Sequence, residues 1–423
     1  MDIPPPSCIT YDLITEILLL LSVKTMMRLK SVSKSWNTLI SDPTFIEQHL
    51  KKSLQNPQLI LISDPSSGVV SFPMHRLLQN PSSTDSCLFP GSMNNCQVIG
   101  FSDPSSGVVS FPMHRLLQNP SSTDSCLFRG SMNNCQVIGS YNGLLCLLFK
   151  ENGWEYQEYQ FVLWNPATGT ISLKVGTLKD SSAGSPFKFT FGCDISTGTY
   201  KVVALAKKCK ELEVRVFSFG GSDWKNIQSF PIKDHEINDG VHLNGTINWL
   251  ALSKYMQQLN QYGWIWNQII VNANQSVIFS LNLSTETYTQ ILLPSGLDEV
   301  SMPFQPTLRV LMDCLCFLHD WKATQCVIWL MKEFGVQESW TQLFRIDYCK
   351  INHHYSYLLG FSICPLLPLY LSKDEDTLIF AEYLNYPAII YNKRDMRVKR
   401  IRISHKMYWF TAMNYVESLV STV

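Results

Sequence analysis

The chain has 423 residues, 45% of them hydrophobic, with 34 Lys and Arg set against 34 Asp and Glu. That length and apolar content allow one large core and a small satellite, so two folding units are expected. A balanced charge leaves no long-range field to gather nucleic acid, an anionic membrane or an acidic polymer, so partners must be selected by shape and local contacts.

Asp2 and Glu16 stand where a secretory leader needs a basic start and an unbroken apolar run, and no later run reaches membrane-spanning length. Thirteen cysteines, an odd number scattered without a regular framework, suit reduced thiols. The expectation is a soluble chain of the cytoplasm, the nucleus or both.

Residues 9–50, ITYDLITEILLLLSVKTMMRLKSVSKSWNTLISDPTFIEQHL, carry helical periodicity broken by short polar stops. Thr10 can cap a first helix, with Asp12 near its positive end. Leu13, Ile17, Leu20 and Leu21 share one face of that helix, and Ile14 and Leu18 make a second apolar face beside it. Ser22 can cap the next turn, while Val32, Trp36, Leu39 and Ile40 recur at helical spacing further on. After Pro43, Thr44 to Glu47 reads as a capping box opening another short helix. About forty residues is the lower limit for an independent core, yet the first helix is apolar nearly all round. Something must cover it, either the rest of the chain or the groove of another helical protein.

This stretch resembles a plant F-box. It matches the pattern at Asp12-Leu13-Ile14, Glu16-Ile17-Leu18, Val23-Lys24, Val32-Ser33-Lys34-Ser35-Trp36, Leu39-Ile40, Asp42-Pro43 and Phe45-Ile46. The resemblance implies a helical domain over 5–50 that binds the Skp-type adaptor of a cullin-RING ubiquitin ligase, with Ile9, Leu13, Ile17, Leu18, Leu21, Val23, Val32 and Trp36 as adaptor-binding or framework positions. Two prolines of the family pattern are replaced by Thr10 and Ser22. Both replacements can cap helices, so the fold is expected to survive while rigid proline contacts are lost.

Residues 51–137 read as a linker containing a tandem duplication. Ser63–Gly100 is repeated as Ser102–Gly139, and only Pro90 becoming Arg129 separates the copies. Packing cannot require such identity, because tandem segments meet different neighbours. One copy is expected to pair into the following domain and the other to be peripheral.

From residue 138 the hydrophobic period changes to two and the pattern becomes short strands divided by turn residues. Five modules follow in series, several sharing an apolar strand, then NPATG, DISTG, NLSTET or NKRD, then a second apolar strand. Asn, Asp and Gly supply the turn conformations. Serial modules of this size favour blades of a propeller over a β-sandwich with Greek-key links. The phrases IGSYNGLLCL, LWNPATG, FGCDISTGTYKVV, GVHLNGTINWLA and the closing NYVESLVS resemble the kelch-like F-box-associated domain of the same plant proteins. The expected fold class is therefore α+β multidomain, a small helical F-box followed by an all-β, propeller-like domain over 138–415.

The resemblance implies a substrate-recognition subunit that links a target protein, through the adaptor, to cullin and RING subunits. A scaffold or decoy with a degenerate F-box is the alternative. Phosphate loop, dinucleotide fingerprint, nucleophile elbow and zincin helix are all missing from the sequence, and neither an enzyme nor a cofactor is expected. Cys314 and Cys316 share one face of a strand and read as core thiols. Cys349 with His353 and His354, and Asp234-His235-Glu236, read as solvated rather than metal-binding or catalytic groups. The basic run from Lys393 to Arg402 reads as a strand edge guarded by charge. Most tryptophans are candidates for inter-blade core, whereas Trp264 and Trp266 fall in an insertion and are weak candidates for binding the target.

Overall fold

Four helices open the computed structural model, which describes residues 10–55, 58–63, 69–73, 97–99 and, apart from short breaks and the segment 351–365, 135–422. Helix α1 is Tyr11–Leu18, α2 is Val23–Leu29, α3 is Lys34–Ile40 and α4 is Pro43–Ser53. The positions that lost prolines cap the first two: the Thr10 and Ser22 hydroxyls accept from the Leu13 and Thr25 amides, each at 3.4 Å. Ser33 caps α3 in the same way. For α4 the expected capping box is displaced. Asp42 is the cap, accepting from Thr44 and Phe45, because Pro43 occupies the first helical position, where its missing amide costs nothing.

Beyond the helices, six antiparallel sheets of four or five strands are present among the described residues. The innermost strands are Cys135–Tyr141, Lys188–Asp194, Val241–Leu243, Thr307–Leu311, Leu366–Leu371 and Trp409–Tyr415. Each touches the next, and the last touches the first, so they form a closed ring around a central cavity. The five modules read from the sequence are blades one to five. Between neighbouring blades the core is apolar: Phe161, Phe191, Val202 and Phe217 join the first two, and Leu318, Ile328, Phe344 and Phe380 join the fourth and fifth.

Blade six has no counterpart in the module count, since it is built from both ends of the chain. Gln58–Ser63 pairs antiparallel with the final strand Trp409–Tyr415, and Val69–Pro73 and Gln97–Ile99 follow outward. The segment expected to be a linker therefore supplies three propeller strands, and the expected boundary at 138 is too late. Both copies of the duplication contribute, contrary to the expectation that one is peripheral. Gln97–Ile99 of the first copy is an outer strand of blade six, whereas the same letters at Gln136–Ile138 lie in the innermost strand of blade one. Sequence identity could not separate these fates, because strand position is set by what lies beside the strand.

The turns that link first to second strands, and third to fourth, lie on one face. They are bonded across blades: Ser284 of blade three donates to Asp194 of blade two, and Lys332 of blade four pairs with Glu375 of blade five. The NPATG and NLSTET motifs, together with Asp194-Ile-Ser, are Asx turns on this face. The side-chain oxygens of Asn165, Asp194 and Asn282 accept backbone amides two residues on, and those of Asn165 and Asn282 also three residues on.

Candidate functional site

The helical module divides its apolar residues between two jobs. Leu18, Leu19, Val23, Met26, Leu39, Ile40 and Phe45 are buried together, with Ile14, Leu21, Trp36 and Ile46 packed against them. The other side of α1 is uncovered. Leu13 and Ile17 are 51% and 47% exposed, one helical turn apart, and Leu20 beyond them is 77% exposed; Tyr11 at the start of the helix and Val32 between α2 and α3 are exposed as well, at 62% and 65%. Soluble proteins rarely leave that many large apolar side chains together in water without a partner. Asp12 and Glu16 border the face, and Glu16 is tied to α4 by Lys52 at 3.3 Å.

Of the eight positions expected to meet an adaptor, Leu13 and Ile17 lie on this open face, and Val32 is exposed between α2 and α3. Leu18 and Val23 are neither: at 2% and 0% exposure they are the centre of the helical core, out of reach of any partner. Their role is to hold the face in shape. Leu21 and Trp36 are half-buried against the same core, and Ile9 lies outside the described residues. Leu20 joins Leu13 and Ile17 on the open face, as their spacing expects. A missing partner inside the chain is what distinguishes this face from the buried one, and spacing does not report that.

The helices sit on the turn face of the propeller. Ala167 of the NPATG turn and Leu419 of the closing segment both pack into the helical core. Leu419 is 6% exposed and completes a core that forty residues could not complete alone. His49 on α4 is buried beside them, its Nε2 3.2 Å from the Leu21 carbonyl and its Nδ1 3.4 Å from the Ser53 hydroxyl. Burial lowers its pKa, partly opposed by the Leu21 carbonyl and the nearby Glu417 carboxylate.

The opposite face carries the longer connections. The insertion between the second and third strands of blade three forms a small hairpin, Gln257–Leu259 with Ile265–Asn267, beside a second pair, Ile269–Val271 with Val300–Met302. Trp264 and the side chain of Trp266 lie outside the described residues. Within the ring, a cavity of about 670 Å³ is lined by Tyr141, Phe187, His242, Arg309 and Pro368, with Leu54 from the end of α4 at its helical side.

Trp164, Trp249 and Trp340 are buried, and Trp224, Trp321 and Trp329 pack against blade cores. Cys316 is fully buried and Cys314 packs against the same cluster, as core thiols should. Cys349 is exposed, whereas His353, His354, Asp234 and His235 lie outside the described residues. Glu236 begins a two-residue strand. In the basic run, Lys393 and Arg394 pair with Asp376, and Arg397–Arg402 is the outermost strand of blade five.

Comparison with known proteins matches residues 6–48 to the F-box domain and residues 96–422 to the F-box associated beta propeller domain. The F-box protein CPR1 of Arabidopsis thaliana is 24% identical over 97% of this chain and 88% of its own length. An F-box/kelch-repeat protein of the same plant is 25% identical over 81% of this chain and 80% of its own. Among solved structures, a chain of the nidogen/laminin complex covers 86% of this chain at 8% identity with a TM-score of 0.40, and adds nothing to the assignment. Both modules are interaction modules rather than catalytic ones. With its helical module at the N-terminus and a ring of blades behind it, the chain belongs to the F-box proteins that carry an F-box associated beta propeller.

Proposed function

We propose that this protein is the substrate-recognition subunit of an SCF-type cullin-RING ubiquitin ligase. The observation that carries the reading is the uncovered face of Leu13, Ile17 and Leu20 on an otherwise well-packed helical module. A Skp-type adaptor covers this face, and cullin and RING subunits follow through the adaptor. The propeller holds the target on the face away from the helices, which carries the blade-three hairpin Gln257–Leu259 with Ile265–Asn267, and Trp264 and Trp266 are the candidate contacts in that insertion. Ubiquitination is then catalysed by proximity: the target lysines are held at high effective concentration near a thioester carried elsewhere in the assembly. The unbridged thiols of Cys193, Cys314, Cys316 and Cys349 suit the reducing cytoplasm or nucleus, where such ligases work.

Adaptor binding by the purified full-length chain tests the reading. Replacing Leu13 and Ile17 by Asp should abolish binding and leave the thermal transition unchanged. A folded wild-type chain that fails to bind would favour the scaffold or decoy instead.

A further inference from the structure

Along the chain the helices join the propeller once, between Ser53 and Gln58. A single covalent joint does not by itself set the angle between two modules. A second attachment comes from the opposite end of the sequence. After the final strand, Val416–Thr422 leaves blade six and crosses the turn face of blade one, where Leu419 packs into the helices and Val420 packs back on the blade core. We propose that this tail is a strap that sets the angle between helical module and propeller, with Asn165, Ser418 and Leu419 as its positioning residues.

The crossing is held at every step. Ser418 is wholly buried, and its hydroxyl donates to the Asn142 carbonyl at 2.7 Å. The Asn165 amide donates to the carbonyls of Ser418 and Val420 at 3.0 and 2.8 Å. Gly143 leaves the tail its path: a Cβ there would come within 2.3 Å of the Ser418 hydroxyl and 2.6 Å of the Val416 carbonyl. With Ser418 fixed to blade one, the next side chain, Leu419, points into the helical core among Leu18, Val23, Met26 and Phe45. One residue is bolted to the propeller and its neighbour is buried in the other module. Because the tail continues from Trp409–Tyr415, which pairs with Gln58–Ser63, both attachments meet at the seam that closes the ring. An adaptor and a target held at a fixed angle keep a fixed spacing between lysine and thioester, a consequence that rests on the function proposed above.

The strap is tested on the full-length chain without adaptor or target, so its failure is distinct from failure of that function. Dyes attached through unnatural amino acids at the exposed positions Lys24 and Asp223 report the separation of α2 and blade two by single-molecule energy transfer. Wild type and Leu419→Met should give one narrow distribution. Leu419→Asp should broaden it severalfold, while cooperative unfolding of the propeller is retained. A narrow distribution in Leu419→Asp would overturn the proposal. So would loss of folding in both modules, which would make Leu419 a core residue and no more.

Discussion

Asn165 and Ser418 are 253 positions apart in sequence, yet the amide of one donates to the carbonyl of the other at 3.0 Å. Asn165 also uses its side-chain oxygen to accept from Ala167 and Thr168, so one residue shapes the NPATG turn and clamps the chain terminus. Asn165→Asp keeps the acceptor and loses the donor, leaving the buried Ser418 carbonyl facing a carboxylate. Asn165→Asp should cost about 2–3 kcal/mol in chemical denaturation, from an unsatisfied buried carbonyl plus a buried charge.

Leu18 and Ile17 are adjacent in sequence and opposite in role. Leu18→Ala should destabilise the helical module by about 3 kcal/mol, as expected for a fully buried leucine, and weaken adaptor binding only through unfolding. Ile17→Ala should leave stability within about 0.5 kcal/mol of wild type and weaken adaptor binding by about 2 kcal/mol, the scale of an interface hot spot. Circular dichroism melts beside calorimetric titration separate the two.

His319 sets an acid limit. Its Nδ1 lies 3.0 Å from the Asp320 carbonyl, to which it donates, and its Nε2 accepts the Trp329 indole hydrogen at 3.2 Å. Burial pushes its pKa down to about 4, only partly opposed by the Asp320 carbonyl. A depressed histidine favours the fold when neutral. Its contribution is therefore complete above the unfolded value near 6.5 and is lost as pH falls towards 4, amounting to about 3 kcal/mol at pH 4. His242, also pushed down to about 4 by burial, acts in the same direction. Asp194 adds a further loss below pH 4. Burial would raise its carboxyl, but hydrogen bonds from Ser284, Ser196 and Thr197 outweigh burial and hold it well below the usual range. His319→Gln should flatten the decline in melting temperature between pH 6.5 and 4, and an unchanged slope would assign that decline to other groups.

Val69–Pro73 and Val108–Pro112 are identical in sequence, and the first is the second strand of blade six counted outward from Gln58–Ser63. Deleting residues 64–102 leaves one copy, whose VVSFP can take that place, while Cys135–Tyr141 still opens blade one. The shortened chain loses only the outermost strand Gln97–Ile99. It should unfold cooperatively, with a melting temperature within a few degrees of the full chain.

Local rules carried much of this structure. Thr10 and Ser22 were legible as caps, the four Asx-headed motifs as turns, and blades one to five as modules, because each depends on residues within a few positions of one another. Blade six was hidden, since Gln58–Ser63 meets Trp409–Tyr415 across almost the whole chain. The open helical face was half legible. Periodicity placed Leu13 and Ile17 on one side of α1 and Leu18 on another, but the family resemblance gave Leu18 and Val23 the same standing as contact residues. The second apolar side is filled by Leu419, from the far end of the chain, and no helical period reports that.

Titration of the full-length protein with a Skp-type adaptor tests the central claim most directly. The account predicts saturable binding by the wild-type chain and its loss in Leu13→Asp/Ile17→Asp, with both proteins melting at the same temperature. Equal binding by the two, or none by a folded wild-type chain, would contradict it.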